Sequence, residues 1–258
     1  MTSVGQAVAL VEELAPLHLK MDWDNVGLQV GKPEAPVEKI LVTLTVTEDV
    51  ADRAASEGVN LIVAHHPLIF RPIKTVRTDT PQGALLQKLL TNNIAVYVCH
   101  TNLDIASNGL NHWLAEELEL QDVEILVPGS EPDTGLGRVG NIATSTVSEL
   151  AAYVAERLET DVRLIGSEDT VVNRAAVCGG SGGDLYAAAL EAGAQVLITG
   201  DVSYHDALDA VAHGLVVIDA GHFGTEQIMV PKLAEYLRSR IPSNVEVLEE
   251  AGLDPFAM

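Results

Sequence analysis

Short runs of apolar residues alternate with longer segments of mixed apolar and polar character along most of this chain. Leu61–Ala64, Ile94–Cys99 and Leu215–Asp219 are three such runs, and each has the length of a strand rather than that of a helix. Strands that alternate with helices of about a dozen residues are typical of βαβ units. The pattern therefore predicts an α/β fold with mostly parallel sheets covered by helices. At the N-terminus, Ser3 followed by Gln6 resembles a capping box and predicts the start of an amphipathic helix.

The sequence also contains an internal repeat. Val42–Asp49 corresponds to Val177–Asp184, and Ser56–Val63 corresponds without a gap to Glu191–Ile198. Position 63 thus matches position 198, an offset of 135 residues. Each copy has the order strand, helix, glycine, strand.

This repeat predicts two similar α/β halves. One half would comprise residues 1–128 and the other residues 129–258, with the boundary in the turn-rich stretch Pro128–Asp133. In parallel sheets, ligands gather beyond the carboxyl ends of the strands. We therefore expect a functional site near the junction of the two halves.

Histidines and carboxylates follow several of the predicted strands. The residues of this kind are His65, His66, Asp104, His222 and Glu226. Such a mixture of ligands suits zinc, iron, manganese or cobalt better than calcium or magnesium. Neighbouring side chains at a strand end point to opposite sides, so His65 and His66 would each bind a separate ion. The pattern predicts two divalent metal ions, with Glu226 as the bridging carboxylate.

Each of these residues also has an ordinary structural explanation. A single histidine at an apolar edge is often a satisfied structural residue, but two adjacent ones followed by Pro67 favour a metal site. Asp104 by itself would be a turn or helix-cap residue. His222 and Glu226 share a face if their segment is helical, and they would then form an ion pair at the surface.

Three further residues are candidates for catalysis: His100, His205 and Asp201. Asp201 takes the place of His66 in the repeat, so Asp201 or His205 would contact substrate or orient a metal ligand. The alternative is that Asp201 caps the helix that follows it. His100 is a candidate general acid or base, although its position beside Cys99 also fits a packed strand end.

Two other segments leave more than one interpretation open. Gly179–Gly183 lies between a predicted strand and a predicted helix, where backbone amides can bind phosphate. Because no Lys-Ser/Thr pair follows these glycines, a tight turn is the favoured interpretation. Asp22–Gly31 places Trp23 between acidic residues ahead of a short strand, which fits a subunit contact, a pocket wall or ordinary packing.

Composition narrows the classes of partner. The 258 residues carry 15 basic and 37 acidic side chains, for a net charge of -22, which disfavours binding to nucleic acid or to anionic membranes. The first residues lack a basic lead segment, and no apolar run approaches the roughly 20 residues needed to span a bilayer. Two cysteines within apolar runs fit a reducing compartment. These features predict a soluble, cytoplasmic protein.

Several segments of the chain resemble those of one known family. The segments are Asp22–Gly31, Ala64–Leu68, His100–Asp104, Thr199–Asp201, Tyr204–Ala207 and Asp219–Glu226. They are similar to the Nif-three-like family, whose members are also called dinuclear metal-centre hexameric proteins or GTP cyclohydrolase type 2 homologues. The resemblance implies that the five residues after the strands are the metal ligands. It further implies a toroidal homohexamer with metal pairs facing the interior, built here from the short form without an extra domain between the halves.

Two classes of function follow from these features. The first is a metal-dependent hydrolase, in which two divalent ions activate water towards a small substrate, such as a nucleotide, another phosphorylated compound or a cyclic amide. The second is a non-enzymatic protein that handles metal or serves as an interaction partner. The open positions that five ligands leave on two ions favour the hydrolase.

Overall fold

The computed structural model describes residues 1–256. In chain order the strands are β1 (Thr2–Ser3), β2 (Gly27–Val30), β3 (Pro36–Val37), β4 (Lys39–Thr43), β5 (Leu61–Ala64), β6 (Ala95–Val98), β7 (Gln121–Pro128), β8 (Gly135–Thr146), β9 (Arg163–Ile165), β10 (Val171–Ser181), β11 (Val196–Gly200), β12 (Val216–Asp219) and β13 (Glu246–Glu250). The α-helices are α1 (Val4–Leu14), α2 (Glu48–Glu57), α3 (Pro81–Thr91), α4 (Thr101–Ile105), α5 (Leu110–Glu117), α6 (Val147–Arg157), α7 (Tyr186–Glu191), α8 (Tyr204–Ala212), α9 (His222–Glu226) and α10 (Met229–Arg238). Over this range, none of the helices has the length and apolar character needed to cross a bilayer.

The chain divides into two compact units. The first comprises Met1–Leu103 together with the C-terminal segment from Met229, and the second comprises Asp104–Ile228.

The first unit is built on a five-stranded sheet of order β13-β4-β5-β6-β2. All pairs are parallel except the β2–β6 pair, which is antiparallel. The central strands are buried along their length, as expected when helices cover both faces. On one face Val50 of α2 and Leu89 of α3 pack against Leu41, Ile62 and Val96 of the sheet.

Local sequence signals explain where the first helices begin and end. Ser3 and Gln6 form the predicted capping box at the start of α1. Thr47 accepts a hydrogen bond from the Val50 amide at the start of α2, and Gly58 ends that helix in the left-handed conformation with a φ of 70°.

The second unit is built on a six-stranded mixed sheet of order β7-β8-β10-β11-β12-β9. Its inner strands β10, β11 and β12 are parallel, and the remaining pairs are antiparallel. Val177, Ile198 and Ile218 pack on one face with α5 and α6, whereas Leu197 and Val217 pack on the other face with α7 and α8. This alternation matches the two-residue period of strand side chains. The structure therefore confirms the predicted α/β fold with sheets covered by helices.

Strand pairing within each unit follows the same register. In the first unit Val42 of β4 pairs with Val63 of β5, and in the second unit Val177 of β10 pairs with Ile198 of β11. Both positions differ by the 135 residues of the sequence repeat. Each unit thus contains a strand, a helix and a parallel strand at corresponding positions.

The limits of the two units differ from the predicted halves 1–128 and 129–258. Pro128 ends β7, which pairs with β8, so the turn-rich stretch Pro128–Asp133 is a hairpin turn inside the second unit. The C-terminal strand β13 pairs in parallel with β4 and returns the chain to the first unit. A local cluster of turn residues cannot distinguish a hairpin from a domain boundary, because the difference lies in which distant strand pairs with the next segment.

Candidate metal centre

Three imidazoles lie together at the carboxyl ends of β5 and β6 in the first unit. His65 and His66 directly follow β5, and His100 follows β6 after one residue. The ring centroids of His65 and His66 are 5.2 Å apart, those of His65 and His100 are 5.0 Å apart, and those of His66 and His100 are 5.9 Å apart. One ligand nitrogen of His65 lies within 4.8 Å of one of His66 and of one of His100. We call these three side chains the imidazole cluster.

Hydrogen bonds set the protonation of the buried member of this cluster. The Nδ1 atom of His65 lies 2.9 Å from the carbonyl oxygen of Cys99. A carbonyl oxygen only accepts hydrogen bonds, so Nδ1 carries the hydrogen and Nε2 holds the lone pair. His66 is oriented in a similar way, because its Nδ1 lies 2.7 Å from the Thr45 hydroxyl. Backbone and hydroxyl partners of this kind commonly orient histidines that bind metal through their other nitrogen.

A buried carboxylate orients His100. The Nδ1 atom of His100 donates to Asp24 at 3.0 Å, and Asp24 also accepts from the amide and the hydroxyl of Thr101 at 3.1 and 2.6 Å. Burial raises the pKa of Asp24, but the hydrogen bonds from His100 and Thr101 outweigh it and lower that pKa to about 2. Asp24 thus stays ionised and directs the Nε2 atom of His100 away from itself, which is the carboxylate–histidine arrangement of many metal sites.

Asp104 lies within helix α4, which begins directly after His100. It is largely buried, and its carbonyl oxygen accepts a hydrogen bond from the Asn111 side chain at 3.0 Å. The Asn111 side-chain oxygen in turn accepts from the Gly179 amide at 2.9 Å. Asp104 is therefore a helical residue. Through these two hydrogen bonds the Asn111 side chain connects the Asp104 carbonyl oxygen to the Gly179 amide near the carboxyl end of β10.

A buried arginine fixes the segment that follows Asp104. Arg138 of β8 is only 3 % exposed, and burial lowers the pKa of its guanidinium. Its nitrogen atoms donate to the carbonyl oxygens of Ala106, Ser107, Gly135 and Gly137. The guanidinium thus joins the backbone just after α4 to the start of β8.

His222 and Glu226 form the first and last residues of α9, immediately beyond β12. The Nε2 atom of His222 lies 3.0 Å from a carboxylate oxygen of Glu226, and its Nδ1 atom lies 2.9 Å from Asp201. The hydrogen bond to Glu226 raises the pKa of His222 to about 9, burial opposes this, and Asp201 adds to it. The predicted ion pair between His222 and Glu226 is thus present, but it is only partly at the surface, because the His222 side chain is 33 % exposed and Glu226 is buried.

The glycines at the end of β10 make room for Glu226. A β-carbon on Gly180, whose φ is 66°, would lie 2.3 Å from a carboxylate oxygen of Glu226. The Gly180 amide donates to the Thr225 hydroxyl at 2.9 Å, and the Gly179 amide donates to Asn111. These two amides are engaged by side chains of the protein, which favours the packing role of the turn over the phosphate-binding alternative.

The remaining two sequence candidates are Asp201, which contacts His222, and His205. Asp201 accepts from the Nδ1 atom of His222, and helix α8 is capped instead by Ser203, which accepts from the Asp206 amide at 3.2 Å. The alternative that Asp201 caps this helix is therefore wrong. His205 is exposed on the first turn of α8, where its ring centroid lies 5.5 Å from that of Tyr204.

These donors fit a divalent transition metal. Two imidazoles of the first unit donate through Nδ1, so in the neutral ring Nε2 is the nitrogen that can bind a metal ion. In the second unit, the imidazole of His222 and the carboxylate of Glu226 lie 3.0 Å apart, and both are groups that bind divalent ions in proteins. Sequence reasoning missed Asp24 and Asn111, which orient these donors. The acidic Asp22–Gly31 segment was the signal for Asp24, whereas Asn111 had none.

Comparisons with known proteins agree over nearly the whole chain. The family model described as Duf34/NIF3 (NGG1p interacting factor 3) matches residues 2–251. A Lactococcus lactis relative named GTP cyclohydrolase 1 type 2 homolog is 41% identical and is covered over 88% of each chain. A Streptococcus pneumoniae relative of the same name is 38% identical, covering 90% of this chain and 89% of the relative. The crystal structure of a Bacillus cereus protein related to NIF3 superposes with a TM-score of 0.93 at 28% identity, covering 98% of both chains.

Proposed function

Because this chain belongs to the Duf34/NIF3 family, we propose that it is a metal-dependent hydrolase that acts on a small substrate such as a nucleotide. The observation that carries this proposal is the set of oriented donors. The rings of His65 and His100 are each oriented by a hydrogen bond at Nδ1, and His222 lies within hydrogen-bonding distance of Glu226. The name of the curated relatives, GTP cyclohydrolase 1 type 2 homolog, supports a nucleotide substrate.

We propose that the protein binds two divalent ions, which are zinc, iron, manganese or cobalt. His65 and His66 would bind different ions, Asp104 and His222 would complete the two sites, and Glu226 would bridge them. Such a pair of ions supplies Lewis-acid activation of water and of a substrate oxygen. This assignment rests on ligand chemistry and on family membership.

The protein's own residues would orient the ligands and move protons. Asp24 fixes the ring of His100, whose Nε2 is then placed to accept or return a proton as a general base and acid. Asp201 holds His222 through Nδ1 and fixes its ring plane. His205, exposed on α8, is a candidate for contact with the substrate.

A metal-binding interaction protein without catalysis is the alternative. The description of the family as an NGG1p interacting factor favours it. In that case the metal site would stabilise the assembly or respond to metal supply, and no nucleotide or phosphoester would be turned over.

Metal-reconstituted activity screening separates these two functions. Wild type and a His65→Ala, His66→Ala double variant are loaded with each of the four metals and assayed on a panel of nucleotides and phosphoesters. A His18→Ala, His213→Ala variant is the control, because both of these histidines are exposed outside the imidazole cluster. We expect turnover in wild type and control and its loss in the double variant. Absence of turnover in every metal-loaded form would favour the interaction protein, and turnover in the double variant would contradict the assigned site.

We also propose that the subunit forms a homohexamer, as its family resemblance implies. Light scattering of the purified full-length chain measures the number of subunits directly. A mass of six subunits supports the proposal, and any other dominant mass contradicts it.

A further inference from the structure

Two aromatic side chains of the first unit project into solvent beside the imidazole cluster. Trp23 is 59 % exposed and Phe70 is 48 % exposed. Their ring centroids are 5.9 Å apart with an interplanar angle of 70°, and the Trp23 ring lies 6.1 Å from that of His100. We call Trp23 and Phe70 the aromatic pair. Such rings normally bury 150–250 Å² each, so leaving two adjacent ones in water marks a surface that another molecule covers.

The backbone on the Trp23 side of the aromatic pair is fixed. Asp24, the next residue, is buried and accepts hydrogen bonds from His100 and Thr101. Asn25 then donates through its side chain to the Ile69 carbonyl oxygen at 2.5 Å. The Asp22–Gly31 segment therefore connects the imidazole cluster to the loop that carries Phe70.

The backbone on the Phe70 side is fixed by the same segment. The Ile69 amide donates to the Gln29 side chain at 2.8 Å, and the Gln29 amide group donates to the Asn25 carbonyl oxygen at 2.6 Å. Both polar groups of Ile69 are thus held by the segment that carries Trp23. A surface whose backbone is held in place before binding loses less conformational freedom when a ligand arrives.

A cationic cavity adjoins the aromatic pair. Phe70, Arg71 and Lys74 contribute to the lining of a cavity of about 450 Å³. Both cationic residues are exposed, and within residues 1–256 neither forms an ion pair with a carboxylate, whereas Arg77 of the same loop pairs with Asp79. In a chain with a net charge of -22, two such cations that line one cavity form a local site for an anion.

We propose that this surface binds a planar aromatic ring that carries a phosphate group, such as a nucleoside monophosphate. The ring stacks on the aromatic pair, and the phosphate lies in the cavity at Arg71 and Lys74. Aromatic side chains stack on any base, while arginine and lysine bind phosphate by charge and hydrogen bonds. Because Trp23 adjoins His100, a ligand held there would present its ring to the imidazole cluster. This inference rests on the proposed function in one respect, namely that the bound compound is the substrate.

The fluorescence of Trp23 can be used to measure this binding. Trp23 and Trp113 are its two tryptophans, and Trp113 is only 8 % exposed in the second unit. A Trp113→Phe variant of the full-length chain therefore reports on Trp23 by fluorescence. The variant is stripped of metal with a chelator and titrated with GMP, with guanosine and with ribose 5-phosphate. We expect saturable quenching by GMP, with an affinity about tenfold or more above that of either fragment, since stacking and phosphate contacts each contribute.

Matched variants in the Trp113→Phe background assign the two parts of the site. Phe70→Ala should weaken binding of both GMP and guanosine about tenfold, given the usual contribution of one base stack. An Arg71→Gln, Lys74→Gln double variant should weaken GMP binding by a similar factor and leave guanosine binding unchanged. Arg77→Gln and Tyr204→Ala are the controls, since Arg77 is paired with Asp79 and Tyr204 is an exposed aromatic residue in the second unit.

The outcomes separate this inference from the proposed function, because the titration contains no metal. Saturable GMP binding that responds to these variants supports the site even if no metal-loaded form turns over a substrate. The inference is overturned if GMP does not quench Trp23 saturably, or if Phe70→Ala and the double variant bind GMP as the parent does. It is also overturned if Phe70→Ala changes the number of subunits by light scattering without changing GMP affinity, because the aromatic pair would then be a subunit contact.

Discussion

The Nε2 atom of His222 lies 3.0 Å from the carboxylate of Glu226, one helical turn further along α9. With Asp201 on the other ring nitrogen, this contact raises the pKa of His222 to about 9, so the metal-free imidazole is protonated at neutral pH. A proton on Nε2 then lies between two groups that are both proposed metal ligands. In the proposed site a divalent ion would take the place of this proton, with His222 and Glu226 among its ligands.

Replacing Glu226 with Gln should lower metal occupancy from two ions per subunit. The amide has nearly the size of the carboxylate, but it lacks the charge and the second strong donor oxygen that a bridging position requires. Elemental analysis of the zinc-reconstituted variant measures the loss directly. We expect a stoichiometry near one ion.

The control for this substitution is Glu235→Gln on the exposed face of α10. It removes one negative charge from the chain without touching α9, so its metal content should equal that of wild type. Unchanged stoichiometry in Glu226→Gln itself would count against the bridging role and would leave Glu226 as a hydrogen-bond partner of His222.

Asp24→Asn should lower turnover although Asp24 is neither a proposed ligand nor a group that contacts substrate. The neutral amide cannot orient His100, the candidate general acid and base, through a charge-assisted hydrogen bond. General acid–base catalysis typically contributes roughly 10²- to 10⁴-fold to a rate, so we expect kcat of the metal-loaded variant to fall about tenfold or more while its metal content stays that of wild type. The matched control is Asp22→Asn, an exposed acid two residues earlier. Equal kcat for the two variants would show that the His100–Asp24 contact has no part in catalysis.

The sequence predicted correctly those structural features that depend on a local pattern of residues. The alternating apolar runs predicted strands and the α/β class, and the repeat matched the strand register because pairing in a parallel sheet is set by the same apolar positions. The position of His65 and His66 beyond a strand also follows from local sequence. The resemblance to a known family is confirmed by the match over residues 2–251.

Long-range pairing is what the sequence could not show. The partner of β13 is β4, which lies about two hundred positions earlier along the chain, and no local pattern in the sequence predicts that pairing. Asn111 orients Asp104 through a contact that depends on the packing of α5 against β10. Gly179 and Gly180 were interpreted from their position before a helix. A β-carbon at Gly179 would instead lie nearest to Leu110, and one at Gly180 nearest to Glu226, and both of these residues come from distant segments of the chain.

Arg138→Met should destabilise the second unit by on the order of 3 kcal/mol. The guanidinium donates to four carbonyl oxygens, and a buried acceptor without its donor typically costs about 1–3 kcal/mol. Methionine fills a similar volume but donates nothing. Thermal unfolding followed by calorimetry measures the change, with Arg157→Met as the control. Arg157 is 39 % exposed and pairs with Glu117 at the surface, where such pairs contribute about 0–1 kcal/mol. Similar losses in the two variants would contradict a special role for Arg138.

Gly180→Ala should remove metal from the protein, in contrast to Gly214→Ala. Both glycines have a positive φ, 66° and 82°, so alanine strains the backbone at either position by roughly 1–2 kcal/mol. Only at Gly180 does the new β-carbon meet another group, since it would lie 2.3 Å from the Glu226 carboxylate, whereas Gly214 faces open space within 4 Å. Comparing the two variants therefore separates two effects. Backbone strain occurs in both variants, whereas displacement of Glu226 occurs only in Gly180→Ala. Thermal unfolding should show a loss of stability in both variants, which is larger in Gly180→Ala because of the added clash, and elemental analysis should show a loss of metal in Gly180→Ala alone. Full metal content in Gly180→Ala would mean that Glu226 binds no ion from its position beside β10.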